Sequence, residues 1–293
     1  MISLEQLSPL GIGTSRVASL GSRMAPAAFA EFLEVAAERE VNLLDTADFY
    51  GSGDAERLIR KGIRATGKPF FVVTKAGQPC VHTPGWLSPL NQLAKKVKQR
   101  SGAKNNYTSA YLISSVQKSN RRLGVEAADA LLLHEPTWND IAQADPWEGL
   151  ARIREQGLAR YTGVSSNDYR VVEAGISSGQ VQLVQTTVSW RNPNPIVALC
   201  RAHGVPVLAN MVLQPFSALQ PTFARQAAAV QQLPGLSGLT LPQLLIGAVL
   251  AEKQADIVLF GTSSLGHLQH NIESLRYVPS LPAALPHLHQ LLA

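Results

Sequence analysis

Eight short apolar runs, each followed by a longer stretch with helical character, constrain this chain more than any other feature. The runs are LGIGTS (10–15), VNLLDT (41–46), FFVVTK (70–75), ALLLHE (130–135), RYTGVSS (160–166), VQLVQTT (181–187), VPVLAN (205–210) and DIVLFGT (256–262). Most are rich in leucine or β-branched residues and too short for helices, so they read as strands. Between them lie helical patterns such as 25–40 and 241–255, and in 105–123 Leu112, Val116 and Leu123 recur at helical spacing. Strands alternating with helices give a parallel sheet. Eight of them fit a closed (β/α)8 TIM barrel of about 250 residues, so one domain over 1–293 is expected. An open doubly wound sheet is the alternative, but its dinucleotide fingerprint is missing. GIGTSR at 11–16 carries Arg16 where G-x-G-x-x-G needs its last glycine.

Composition narrows the function classes. Hydrophobic residues make up 45% of the chain, enough for a large core, and charged residues only 16%, which argues against disorder. No stretch of about 18 uninterrupted apolar residues offers a membrane span. MISLEQLSPLG has no basic segment followed by an apolar one, so no secretory signal is expected. Cys80 and Cys200 are the only cysteines, and two distant ones read as free thiols rather than a disulfide framework. A soluble cytoplasmic protein is the expectation. The net charge is +5, with basic residues clustered at 94–104 (AKKVKQRSGAK). That cluster reads as a solvated face, or alternatively as an electrostatic funnel for an anion. It lacks interleaved aromatics, so nucleic acid is not expected as a partner.

All C-terminal strand ends of a parallel barrel open onto one face, where active sites sit. The second run ends on Asp45, the third on Lys75 and the fourth on His134, with Tyr50 five residues past Asp45. Each has an ordinary structural reading: Asp45 as a helix cap, Lys75 snorkelling to solvent, His134 as a hydrogen-bonded core residue, Tyr50 as loop packing. A barrel brings all four to one mouth, and buried charges there are costly unless paired. Their chemistry is specific. A phenol, with a pKa of about 10, is a poor acid at neutral pH. A nearby ammonium lowers that value, a carboxylate holds the ammonium in place, and a histidine donates a hydrogen bond to a carbonyl. Such a set suits carbonyl reduction, with hydride from a nicotinamide cofactor.

These segments resemble the aldo-keto reductase family. The resemblance rests on LLDTADFYGSGDAE with Asp45 and Tyr50, VVTKAG with Lys75 and LLLHEP with His134. It extends to GVSSND (163–168), VQLVQ with Gln185 and FGTSSLGHLQHNI (260–272), in family order from Gly11 to Asn271. It implies Tyr50 as general acid, Lys75 and Asp45 as its tuning pair, and His134 orienting the carbonyl. For the cofactor it implies Gly13 and Thr14 near the first strand, Ser165, Ser166, Asn167 and Gln185 around the carboxamide, and Asn210 beside the nicotinamide. Gly261, Thr262, Ser263, His267 and Asn271 would lie along the adenosine end. NADP (as NADPH) is the implied cofactor, the substrate a small aldehyde, ketone or alcohol, and the protein a monomer or weak oligomer with no catalytic metal.

The sequence departs from the family pattern in two places. Asn210 stands where many members stack an aromatic residue on the nicotinamide, and Trp190 is the candidate to compensate. Gly261 and His267 stand where lysine or arginine often meets a 2′-phosphate, which keeps NAD possible. The connection 76–106 and the segment 213–240 are the expected substrate walls. The HLHQ pair at 287–290 sits away from the strand ends and is not expected to bind metal. Two rival readings are a nucleotide-binding regulatory subunit with little turnover and a metal-dependent hydrolase on the same barrel.

Overall fold

A computed structural model describes residues 2–18, 23–79, 105–192 and 194–293. The eight runs form eight parallel strands that close into a barrel in chain order. They are β1 (Leu10–Gly13), β2 (Leu43–Asp45), β3 (Phe71–Ala76), β4 (Ala128–His134), β5 (Ala159–Ser165), β6 (Leu183–Thr187), β7 (Val207–Asn210) and β8 (Ile257–Gly261). Closure is made by β8 against β1, with Gly13 opposite Gly261 on one side and opposite Asp45 of β2 on the other.

Side chains alternate across each strand, and the two parities go to different cores. Leu43, Phe71, Val73, Ala130, Leu132, Leu183, Leu208 and Leu259 pack together as the barrel interior. Leu44, Val72, Leu131, Leu133, Val184, Ala209 and Phe260 pack outward against the helices. Some interior positions are glycine because their neighbours are large. A Cβ on Gly11 would lie 2.5 Å from Leu43 and 2.7 Å from Leu259.

The helices follow from amphipathic spacing. In α1 (Pro26–Glu38), Phe29, Phe32, Leu33 and Ala36 form the buried stripe. The helix Ser109–Leu123 buries Leu112, Val116 and Leu123. Leu241–Ala251 is buried on nearly every face because it lies between the barrel and the C-terminal helix Leu281–Leu291.

One expectation, the role of Trp190, changes here. Segment 213–240 contains two helices, Phe216–Arg225 and Ala227–Gln232, whose apolar residues join a second core. Trp190 belongs to that second core. It is fully buried, 4.8 Å from the His289 ring and 4.4 Å from the Arg191 guanidinium, and so is unable to stack on a ligand at the barrel mouth. His287 and His289 are two residues apart on the C-terminal helix, and His289 is 3.6 Å from Glu252. No group of three or more metal-capable side chains occurs among the described residues. Cys200 is buried. Cys80, Pro84, Trp86, Pro89 and the 94–104 cluster lie outside the described residues. No described helix is long and apolar enough to cross a membrane.

Candidate active site

The interior parity that buries Leu43, Val73, Leu132 and Leu183 runs two residues further to Asp45, Lys75, His134 and Gln185. The same step leads from Gly11, Gly163, Leu208 and Leu259 to Gly13, Ser165, Asn210 and Gly261. These eight residues, one per strand, line a single cleft of about 260 Å³ together with Tyr50. The last interior layer is thus polar where the layers below it are apolar.

Lys75 is the most buried charge in the cleft, 1% exposed. Its Nζ donates to Asp45 Oδ1 at 2.6 Å and to the Thr46 carbonyl at 3.0 Å. Burial alone would lower its pKa, but Asp45 and Tyr50 outweigh that and hold it above the ordinary lysine value. Gln185 Nε2 also donates to Asp45 Oδ1, at 3.0 Å. Gln185, expected at the carboxamide, thus braces the carboxylate of Asp45.

Tyr50 enters from the turn after β2. Gly51, Ser52 and Gly53 are all left-handed there, and a Cβ on Gly51 would sit 2.9 Å from the Ala18 carbonyl. Glycine is therefore required at that corner. The Lys75 ammonium lies 5.1 Å from the Tyr50 ring centroid, and the His134 ring meets it edge-on at 5.9 Å. His134 is held from behind, since Tyr107 donates its hydroxyl to the His134 carbonyl at 2.7 Å. The expected fall in the phenol pKa is not what results. Burial raises it, Lys75 lowers it by charge and hydrogen bonding, and the net shift is upward.

The remaining candidates divide into three groups. Ser165 and Ser166 are buried, and the Ser166 hydroxyl donates to the Pro136 carbonyl at 3.0 Å. Asn167 Oδ1 accepts from Thr186 and Thr187, while Asn210 Oδ1 accepts from the Thr187 hydroxyl. These four residues line the cleft. Thr14 lies beneath it, fully buried with its hydroxyl on the Asp45 carbonyl. Beyond β8, Thr262 and Asn271 are buried and His267 is exposed. Ser264 caps the helix Leu265–Ile272 by accepting from the His267 amide.

Sequence reading missed a carboxylate pair under the Tyr50 turn, although both members lie within the motif that drew attention to it. Asp48 and Glu56 are fully buried. Glu56 accepts from Thr74, the neighbour of Lys75, at 2.7 Å and pairs with Arg122. Burial, reinforced by the charge of Glu56, pushes Asp48 up to about 8. The folded state then holds this proton more tightly than the unfolded chain. Its stabilisation is full below about pH 4 and is lost as pH rises to about 8. Urea midpoints of the parent should fall over that range, whereas Asp48→Asn should flatten the profile, a difference of about 5 kcal/mol across a window of about 4 pH units. Parallel profiles for the two chains would show that Asp48 is not kept protonated.

Comparison with known proteins adds to this geometry. The profile of the Aldo/keto reductase family matches residues 9–280. The oxidoreductase YqkF of Bacillus subtilis is 25% identical over 209 residues, 70% of this chain and 60% of its own length. Pyridoxine 4-dehydrogenase of Escherichia coli is 23% identical over 79% of this chain and 76% of its own. In structure, the chain superposes on an aldo-keto reductase from Klebsiella pneumoniae, solved in complex with NADPH, with a TM-score of 0.72. That likeness covers 97% of this chain and 90% of the other, at 20% identity, and speaks to the fold. The family match takes in all eight strands, and the chain belongs to the aldo/keto reductase family.

Proposed function

We propose that this chain is a single catalytic unit that reduces an aldehyde or ketone to the alcohol, or runs the reverse, with a nicotinamide nucleotide. The observation that carries this reading is the Lys75 ammonium held by Asp45 beneath the Tyr50 ring, with the His134 ring edge-on to it. Few other reactions need a phenol, an ammonium and an imidazole around one small cleft.

The cleft also fits a flat ring. Gly13 and Gly261 are register partners on β1 and β8, and a Cβ on Gly261 would meet only the Gly13 carbonyl, at 3.5 Å. The two together leave a strip of bare backbone along one wall. Ser166, Asn167 and Gln185 would hold the carboxamide of a nicotinamide there. Ser263, His267 and Asn271 would accompany the adenosine end past β8, with Thr262 fixing the backbone of that turn. NADPH is the cofactor favoured by the family, and a bound reduced nicotinamide supplies the hydride. The chain's own residues do the rest. His134 donates a hydrogen bond to the carbonyl oxygen and aligns it, and Tyr50 gives that oxygen its proton. Lys75 keeps the tyrosinate tolerable once the proton has gone, and Asp45 keeps Lys75 in place.

A fluorescence titration with NADPH and with NADH tests the cofactor reading without knowledge of the substrate. Saturable binding of either nucleotide is expected. Failure of folded protein to bind both, reduced or oxidised, would remove the redox reading. His267→Arg should tighten NADPH about 5- to 10-fold and NADH little, because a guanidinium recognises a phosphate dianion. Equal effects on both nucleotides would mean that His267 does not face the 2′-phosphate.

A further inference from the structure

The first residue past the polar layer on β4 is an acid. Glu135 follows His134, lines the same cleft and is exposed at its rim. Its backbone is left-handed, with φ 55°, and its amide donates to the Ser165 carbonyl at 2.8 Å. A residue with a side chain is disfavoured in that conformation relative to glycine. A carboxylate is nevertheless what stands here.

The charge balance of the cleft makes this residue decisive. Among the described lining residues, the ionic side chains are Asp45, Lys75 and Glu135. Asp45 and Lys75 cancel one another at 2.6 Å. Glu135 is met by the neutral amide of Gln78, whose Nε2 donates to Oε2 at 2.7 Å. That bond fixes the carboxylate at the rim without neutralising it. Burial dominates the rise of the Tyr50 pKa, and the Glu135 charge adds the smallest of the contributions to it.

We propose that Glu135 selects substrates by charge, favouring carbonyl compounds that carry a cationic group over those that carry a carboxylate. This rests on the reading of the cleft as a carbonyl-reducing site. A substrate oriented with its carbonyl between Tyr50 and His134 places its remaining groups toward the rim. A cation there meets Glu135, and an anion is repelled by it. The interaction acts on substrate selection and adds no bond-making step.

The test uses the 293-residue chain with saturating NADPH and three para-substituted benzaldehydes: the trimethylammonio, unsubstituted and carboxylate compounds. Values of kcat/KM are measured for the parent, Glu135→Gln and Glu135→Lys. Taking the variant-to-parent ratio for each aldehyde cancels its intrinsic reactivity. The cation-to-carboxylate preference should fall about 10-fold in Glu135→Gln and further in Glu135→Lys, as expected for a charge acting across a partly solvated cleft. The preference should also shrink as salt is raised. Ratios that are the same for all three aldehydes would overturn the assignment while leaving the reductase reading intact. Nucleotide binding with no turnover of any aldehyde by the parent would overturn both.

Discussion

Tyr50→Phe should lower kcat for carbonyl reduction by about 10³-fold, within the range that a positioned general acid contributes, while the nucleotide dissociation constant stays within about 2-fold. The substitution is conservative in packing. A phenyl ring keeps the edge-on contact with His134 and its place above the Lys75 ammonium, and loses only the hydroxyl. The glycine-rich turn that aims the ring is untouched. A loss confined to turnover therefore assigns the proton to Tyr50, whereas near-parental turnover would move the acid elsewhere in the cleft.

The upward shift of the Tyr50 pKa gives this prediction a second readout. The neutral phenol persists to high pH, so reduction, which needs the proton, should be insensitive to pH from 6 to 9 as far as this group is concerned. Alcohol oxidation needs the tyrosinate, and its kcat/KM should rise about 10-fold per pH unit over the same range. In Tyr50→Phe that rise should disappear. A downward shift, as the lysine alone would produce, would instead place a break in both profiles near neutrality. The structure favours the first pattern because burial outweighs Lys75.

The strands were legible because parallel strands buried on both faces become unbroken apolar runs. The polar residues that end them were legible as anomalies, since Asp45, Lys75 and His134 interrupt leucine- and valine-rich segments. Less visible was the reason they converge. Each extends an interior-facing parity, and parity within a run buried on both sides leaves no trace in the sequence. Trp190 shows the limit in the other direction. It was the candidate to compensate for Asn210, but an indole buries large apolar area, and the helices after β7 provide a second core for it. Gln185 bracing Asp45 spans 140 residues, and Asp48 with Glu56 becomes a pair only when the turn folds over. Glu135 ends the fourth run as an ordinary polar residue would. Its left-handed backbone and its neutral partner Gln78 are tertiary facts.

The Asp45–Lys75 pair separates what holds the barrel mouth together from what makes it reactive. Lys75→Met leaves a carboxylate in the cleft with Gln185 as its side-chain donor, and Asp45→Asn leaves an ammonium with the Thr46 carbonyl. Removing one partner of a buried pair costs about 3–5 kcal/mol, because the other is left uncompensated. Each single variant should therefore lose that much stability to urea. The double variant Asp45→Asn, Lys75→Met removes both charges at once, and replacing a buried pair by neutral groups is often close to neutral for stability. It should recover to within about 1 kcal/mol of the parent. Activity should follow a different rule. All three variants should lose at least about 100-fold in kcat, because none retains both a charged lysine and the carboxylate that places it beside Tyr50. A double variant as unstable as the singles would mean that packing, not charge, holds this layer. A stable and active one would show that Tyr50 gives up its proton without Lys75, and the catalytic reading of the pair would fall.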